Sequence, residues 1–453
     1  MASPKVVIYV AYCVKDQFFV DHCNYADDLE SYMSQAFVGV RLKQRWTTLP
    51  RSLLEDIGQE QDVLSFVEVA DHDGPYQDLD GKILPVPGAH IHVDMFALSD
   101  QVEKLTQYIE PEGDASAVHP HTGSTLAIVY TLPHNDFASQ WNSLIFDDFF
   151  HYRTLRYLLR RVITPTPESV RNFQSPPGQI VLLHGPPGTG KTSLCEALAQ
   201  QLSIRLSSYY PRSKLVRVKA TSFFSQFRSD SDNAVVRLFS SIEAMINQDQ
   251  NRFIFVLMDE IEGLARSRKT SSANAEPGDA LRATNALVAA LDTLRQYPNV
   301  LLLSATNMLD AMDDAFLDRV SLYSVGLPEA PTRYEMLRAA LGKLVNSGDV
   351  SLEHIAEEDG EEVMLLDDAP AEPPRFDTIL PPYGALSLAA GKSGPAQTLL
   401  QHAKECEGLS GRKLASIPFD AACSCVEKDV CTLGETLEAM GVEIAGLRQP
   451  SSS

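Results

Sequence analysis

Positive charge is scarce in this chain: Lys and Arg number 38 against 60 Asp and Glu in 453 residues, a formal charge of −22. That balance argues against a non-specific grip on DNA or an anionic membrane as the main activity, since both rely on cationic side chains displacing counterions. Long apolar runs are missing too. RFIFVLMDE and NVLLLSATN are strand-sized and end in charge or Asn, far short of the roughly 20 residues that span a bilayer. The seven cysteines are odd in number and scattered, and MASPKVVIYVAYCVKDQ lacks the charged, apolar and small-residue order of a signal peptide. Free thiols in a reducing compartment are therefore expected. Cys406, Cys423, Cys425 and Cys431 match no zinc spacing and read as packed helix thiols. The pairs His90 with His92 and His119 with His121 have no third ligand at a usual distance, so they read as a strand face and a loop.

What is present is dominated by LLHGPPGTGKTSLCEALAQ, Leu182 to Gln200, a buried strand, a glycine-rich turn and a helix. GPPGTGKT fits the phosphate-loop pattern in the strand and helix setting that such a loop needs. Gly185, Gly188 and Gly190 would let backbone N–H groups turn inward around the phosphates, with Pro186, Pro187 and Thr189 completing the loop. Lys191 would reach the β and γ oxygens, the Thr192 hydroxyl would hold Mg²⁺, and Ser193 closes the set. The helix adds its positive N-terminal end. ATP and Mg²⁺ are the cofactors this implies.

FIFVLMDE ends in Asp259 and Glu260 at the carboxyl end of a buried strand, where an open α/β sheet opens its ligand crevice. Asp259 would coordinate Mg²⁺, and Glu260 would polarise the water that attacks the γ-phosphate. A kinase of small molecules needs no water-activating acid, so the pair favours hydrolysis. Asn307, ending LLLSATN, stands where an amide could contact the γ-phosphate or that water.

The rest of the chain sorts by period. Apolar β-rich runs at Lys5–Val14, Ser65–Ala70, Ile91–Leu98 and Thr125–Leu132 suggest a small mixed domain over residues 1–130, followed by a linking segment at 131–178. Strands and amphipathic helices alternate through 179–328, which predicts a three-layer α/β domain around a parallel sheet. From 329 to 453 the pattern is helical, about four helices forming a lid, interrupted by an acidic Pro-containing loop at 357–374.

With these motifs in hand the chain resembles the AAA+ ATPases, GPPGTGKT corresponding to Walker A, FIFVLMDE to Walker B and SATN to sensor 1. The runs HGPPGTGKTSLCEALAQQLSIRLSS, DEIEGLARSR, EPGDALRATNALV, EGLSGRKL and LPHNDFASQWNSLIFD look more specifically like the pachytene checkpoint ATPase family. The resemblance implies an α/β fold with a parallel-sheet nucleotide-binding core, a C-terminal helical lid and a small α+β N-terminal domain that engages substrate and adaptor. It implies a homohexamer that hydrolyses ATP to remodel HORMA-domain proteins, with or without a HORMA-type adaptor. Nucleus and chromosomes are the implied location, with the cytoplasm as a second; no direct nucleic acid and no membrane are expected as partners. Arg319, in AFLDRVSLY, would be the finger reaching a neighbour's ATP, and Arg412, in GLSGRKL, would be sensor 2. Many AAA+ proteins carry a second arginine after the finger, whereas Val320, Ser321 and Leu322 follow here. Phe227, in TSFFSQFRSDSDN, would grip substrate in the pore, where the family often has tryptophan, and ARSRKTSSANAEPGD would be the second pore loop. The alternative class is a DNA-associated machine of the clamp-loader or helicase type. The acidic charge and the lack of a zinc ribbon or a Lys/Arg-rich aromatic stripe count against it.

Overall fold

The computed structural model describes residues 7–14, 26–37, 39–41, 45–46, 64–72, 83–86, 89–106, 125–163, 180–219, 231–265, 277–352, 376–389, 394–424 and 430–448. The chain divides into two units. The first comprises Met1–Leu144, Phe149–Gly185 and Lys191–Val325, the second Ile145–Asp148, Pro186–Gly190 and Gly326–Ser453.

The first unit opens with β1 (Val7–Val14), α1 (Ala26–Ala36), β2 (Gly39–Arg41), β3 (Arg45–Trp46), β4 (Leu64–His72), β5 (Ile83–Pro85) and β6 (His90–Ala97). Four of these strands form a sheet in the order β3-β4-β1-β6, with β1 antiparallel to β4 and parallel to β6. Strand alternation sends successive side chains to opposite faces. Ile8, Val10 and Tyr12 pack with Leu29 and Met33 of α1 on one side. Ala11 and Cys13 face the other way, onto Phe96 and Ile204. His90 and His92 both lie on β6, while His119 and His121 fall outside the described residues.

A second, seven-stranded sheet holds β7 (Val102–Thr106), β8 (Thr125–Leu132), β9 (Ile180–His184), β10 (Arg212–Lys219), β11 (Arg252–Asp259), β12 (Val300–Thr306) and β13 (Ser321–Ser324), ordered β13-β9-β12-β11-β10-β8-β7. The five strands from β9 onward are mutually parallel, as the alternating pattern predicts. Thr125–Leu132, read from sequence as part of the N-terminal domain, instead pairs antiparallel with β10 and carries β7 on its outer side. Its own apolar residues account for this: Leu126, Ala127 and Val129 join the core of Val216, Val218 and Ile254, and an uncovered β10 edge would expose unpaired backbone groups. Around the sheet run α2 (Phe150–Ile163), α3 (Lys191–Arg205), α4 (Ser231–Gln248) and α5 (Pro277–Leu294). Helix α3 is buried along most of its length, polar residues Glu196, Gln200 and Arg205 included.

The second unit is built on α6 (Ala330–Ser347), α7 (Pro395–Glu405), α8 (Gly411–Ser424) and α9 (Leu433–Arg448). Leu337, Leu341, Leu399, Leu414, Leu437 and Met440 make its core. Pro331 in the first turn of α6 and Gly348 in the left-handed conformation just past its end punctuate that helix. Two parallel two-residue strands, β14 (Val350–Ser351) and β15 (Cys431–Thr432), tie it across. The acidic run 357–374 lies outside the described residues.

Candidate nucleotide-binding and hydrolysis site

Strand order brings the site together. β9 carries the phosphate loop at its carboxyl end, β12 lies beside it and β11 beside β12, so the residues ending these strands share one edge of the sheet. Lys191 opens α3, is 6% exposed, and donates from Nζ to the Gly185 carbonyl at 2.8 Å. Thr192 Oγ1 lies 3.0 Å from both carboxylate oxygens of Asp259. A hydroxyl and a carboxylate so placed are the oxygen donors that Mg²⁺ takes from a protein while keeping several waters. Gly185 has φ 148, and a Cβ there would lie 2.1 Å from the Val325 carbonyl oxygen. The residue must therefore be glycine, and the loop can approach a ligand closely.

Glu260 follows directly, exposed and with φ 53, a left-handed conformation unusual for a non-glycine residue. Its N–H donates to Asp259 Oδ1 at 3.0 Å. Backbone strain held by surrounding structure is a mark of functional sites. Here β11 ends at Asp259 and the chain turns at Glu260 into the short helical turn Ile261–Gly263. Asn307 is exposed at the end of β12, its N–H 3.4 Å from Glu262 Oε1. Ser193 is exposed on the first turn of α3.

Within the second unit, Thr189 is buried and its hydroxyl donates to Pro186 O at 3.0 Å; Pro186 and Pro187 are exposed, and Gly190 is half-buried. The Arg412 N–H donates to the Gly188 carbonyl at 3.1 Å, so the first turn of α8 adjoins the loop and leaves the Arg412 side chain exposed. Gly188 has φ 77, and a Cβ would meet Ser410 Oγ at 2.8 Å. A small pocket lined by Ile145, Phe146, Thr189, Met336 and Gly411 lies beside it. The sequence reading did not identify this pocket. Nor did it identify Asp147, whose carboxylate accepts from the Glu329 N–H at 3.1 Å and so satisfies a donor at the start of α6. Asp148 and Phe149, next along the chain, both have positive φ, which a run of ordinary side chains does not announce.

Arg319 is held by its own subunit. Its Nε and Nη2 donate to the two oxygens of Asp292 at 2.8 and 2.9 Å, and Nη1 donates to the Ala315 carbonyl at 2.7 Å. The hydrogen bonds from Arg319 hold the Asp292 carboxyl below the usual carboxylate range. Sequence reasoning missed Asp292. The available signal was an acid near the C-terminal end of a helix, where the macrodipole disfavours negative charge. Phe227 and residues 266–276 of the second expected pore loop lie outside the described residues, and the end of that loop, from Pro277, is the start of α5. Among the described residues no group of three or more His, Cys, Asp or Glu is arranged to hold a metal, and no helix is long and apolar enough to cross a membrane.

A seven-stranded sheet with this loop, this acid pair and a helical lid defines an AAA ATPase. The model of the ATPase family associated with various cellular activities (AAA) matches residues 181–324, and that of the TRIP13-like, AAA+ ATPase lid C-terminal domain matches residues 329–446. The Arabidopsis thaliana pachytene checkpoint protein 2 homolog is 39% identical over 293 residues, 64% of this chain and 60% of that one. The Oryza sativa subsp. indica homolog is 36% identical over 345 residues, 75% of this chain and 70% of the relative. For the Danio rerio homolog the figures are 30% over 388 residues, 85% and 82%. The chain belongs to the pachytene checkpoint protein 2 family. In fold it is similar to the solved structure of C. elegans PCH-2, with a TM-score of 0.71 at 22% identity, covering 98% of this chain and 100% of that one.

Proposed function

We propose that this chain is an ATP-driven remodeller of HORMA-domain proteins, assembled as a homohexamer that pulls a segment of its partner through a central pore and so converts the folded partner between conformers. The observation that carries the reading is the Thr192–Asp259–Glu260 arrangement on a chain of the pachytene checkpoint protein 2 family: two oxygen donors meeting at 3.0 Å beside an exposed acid. With Mg-ATP bound, the cation would neutralise developing charge on the phosphates. Lys191 would leave Gly185 O for the β and γ oxygens, Glu260 would orient and deprotonate the attacking water, and Asn307 would help place it. Arg319 would act on the neighbour's nucleotide, and Arg412 would report the nucleotide state to the lid. Phe227 would grip the substrate. A meiotic checkpoint role at chromosomes, with a spindle-checkpoint role beside it, fits this activity.

The test measures ATP turnover and HORMA conformer conversion together, with and without a HORMA-type adaptor. Turnover that rises with a HORMA protein, and conversion lost in Glu260→Gln, are expected. Turnover raised by DNA and indifferent to every HORMA protein would replace this reading with the clamp-loader class.

A further inference from the structure

The assignment of Arg319 as a finger acting in trans is the reading on which the next step rests. A finger must do more than carry charge: its guanidinium has to be held in a plane and orientation that match phosphoryl oxygens. From the geometry we infer that Asp292 is a positioning residue for ATP hydrolysis, holding the Arg319 guanidinium through two hydrogen bonds so that its unused N–H donors are presented to a neighbouring subunit's phosphates.

A guanidinium has five N–H donors in a fixed fork. Asp292 takes one from Nε and one from Nη2, and Ala315 O takes one from Nη1. Among the described residues that leaves one donor on each terminal nitrogen, the pair that a bidentate oxyanion contact requires. Residue 319 is also fixed by its backbone, because the Arg295 side chain donates to the Arg319 carbonyl. Asp292 and Arg295 both sit at the C-terminal end of α5, so one helix end grips residue 319 at side chain and main chain. The short helix on which Ala315 lies, Asp314–Leu317, is itself pinned: Asp313 Oδ1 caps the Ala315 N–H at 3.0 Å, and the Asp313 N–H donates to Ala265 O at 2.9 Å.

Stability is a poor explanation for the pair. The Arg319 side chain is 28% exposed and that of Asp292 48%, and an ion pair so open to solvent contributes little to folding. An acid two residues from a helix C-terminus is moreover disfavoured by the helix field. The geometry is that of a held tool.

The experiment is a double-mutant cycle on the full chain: Asp292→Ala, Arg319→Ala and both together, with kcat, KM for ATP, melting temperature and ring assembly by sedimentation. Arg319→Ala is expected to lower kcat by about 10³-fold or more, the range for an arginine finger. Asp292→Ala should lower it by about 10²-fold, as misplacing a reacting group by an ångström does. KM for ATP should change little, since Lys191, Thr192 and Asp259 are untouched. The double variant should be no worse than Arg319→Ala alone, because Asp292 acts only through that guanidinium. Asp292→Asn keeps the shape and one acceptor, so it should fall between wild type and Asp292→Ala, and it carries the same comparisons if the alanine variant is insoluble. Near-wild-type kcat in Asp292→Ala beside an inactive Arg319→Ala overturns the positioning role and leaves the finger standing. Additive losses, or rings that fall apart only in the Asp292 variants, overturn it as well. Full turnover in Arg319→Ala is a different failure, since it removes the finger itself.

Discussion

The two sheets of the first unit use their acids in opposite ways. In the seven-stranded sheet Asp259 and Glu260 stand at a strand end, partly or fully exposed, with the strand behind them apolar and buried from Phe253 to Met258. In the four-stranded sheet Glu68, Asp71 and Asp94 lie on the strands themselves, each at most 6% exposed. There they meet partners from other elements. Glu68 accepts from Asn142 Nδ2 at 2.7 Å. The Arg205 guanidinium lies 3.7 Å from Asp71 and 3.5 Å from Asp94, and 3.9 Å over the Tyr9 ring. Acids at a strand end are available to a ligand, whereas acids on a strand face bind the sheet to its neighbour. The two uses meet on one helix: α3 offers Lys191 and Thr192 to the nucleotide at its first turn and Arg205 to the N-terminal sheet at its last, about 21 Å away at 1.5 Å per residue.

That contrast gives the largest expected effect. Glu260→Gln should lower kcat by about 10²–10⁴, the cost of one general base, while Mg-ATP still binds through Lys191, Thr192 and Asp259. The melting temperature should stay near that of wild type, because an exposed strand-end acid supports no core. ATP-binding and melting measurements on the same preparation decide the point; loss of folding together with activity would erase the distinction between the two sheets.

The strand-end chemistry was legible because it is local. GPPGTGKT determines its own loop, DE follows an apolar strand, and the lid helices declare themselves by period; the observed helices 330–347, 395–405, 411–424 and 433–448 follow those runs. The strand-face chemistry was not, because its parts are far apart in sequence, Asp71 and Asp94 with Arg205; the same holds off the strands for Asp147 with the N–H of residue 329 and for Asp292 with Arg319. Strand β8 was visible as a strand, but nothing in TLAIVYTL says which sheet it joins. The two-residue strands β14 and β15 are too short to carry any pattern.

Next in size is Arg205→Met. It keeps the apolar stem and removes the charge, leaving two buried carboxylates short of a partner, with Arg156 3.9 Å from Asp71 as partial relief. Breaking a buried pair in this way costs about 3 kcal/mol or more, to be read from denaturant melts. Adding Asp71→Asn and Asp94→Asn should return much of the loss, since neutral groups need no counter-charge. Unchanged stability in the single variant would show that the cluster does not bind the sheet to α3.

A neutral tie on the same helix should matter less. Gln200 accepts from the His134 N–H at 2.9 Å and donates to the His134 carbonyl at 3.0 Å, all of it buried. Gln200→Leu takes the acceptor from the buried His134 N–H, while the His134 carbonyl keeps the Phe137 N–H at 3.2 Å, so the cost should be about 1–3 kcal/mol, that of one stranded backbone group. If it costs as much as Arg205→Met, the charge on residue 205 is not what sets the four-stranded sheet apart.

The smallest effect isolates charge alone. His92 stands on β6 with its side chain 45% exposed, Nε2 3.4 Å from Asp94 Oδ1 and Nδ1 3.6 Å from Glu30 Oε1. The hydrogen bond to Asp94 raises its pKa above 6.5, aided by the field of both carboxylates and opposed by burial and by Arg205. A raised folded-state pKa means that the protonated ring stabilises the fold. This contribution is fully present below the unfolded value near 6.5 and is lost as pH rises through the folded value. The difference in melting temperature between wild type and His92→Gln should therefore be larger at pH 6 than at pH 8.5, and should shrink with added salt because the ring is half open to solvent. The edge contact of His92 with Tyr9, at 5.8 Å, is lost in the variant at every pH, so it shifts both measurements equally and leaves their difference to the charge. A gap that is constant with pH would show that His92 is only packing there. A gap that widens toward pH 8.5 would mean that the neutral ring is the stabilising form and that Arg205, not Asp94, governs it.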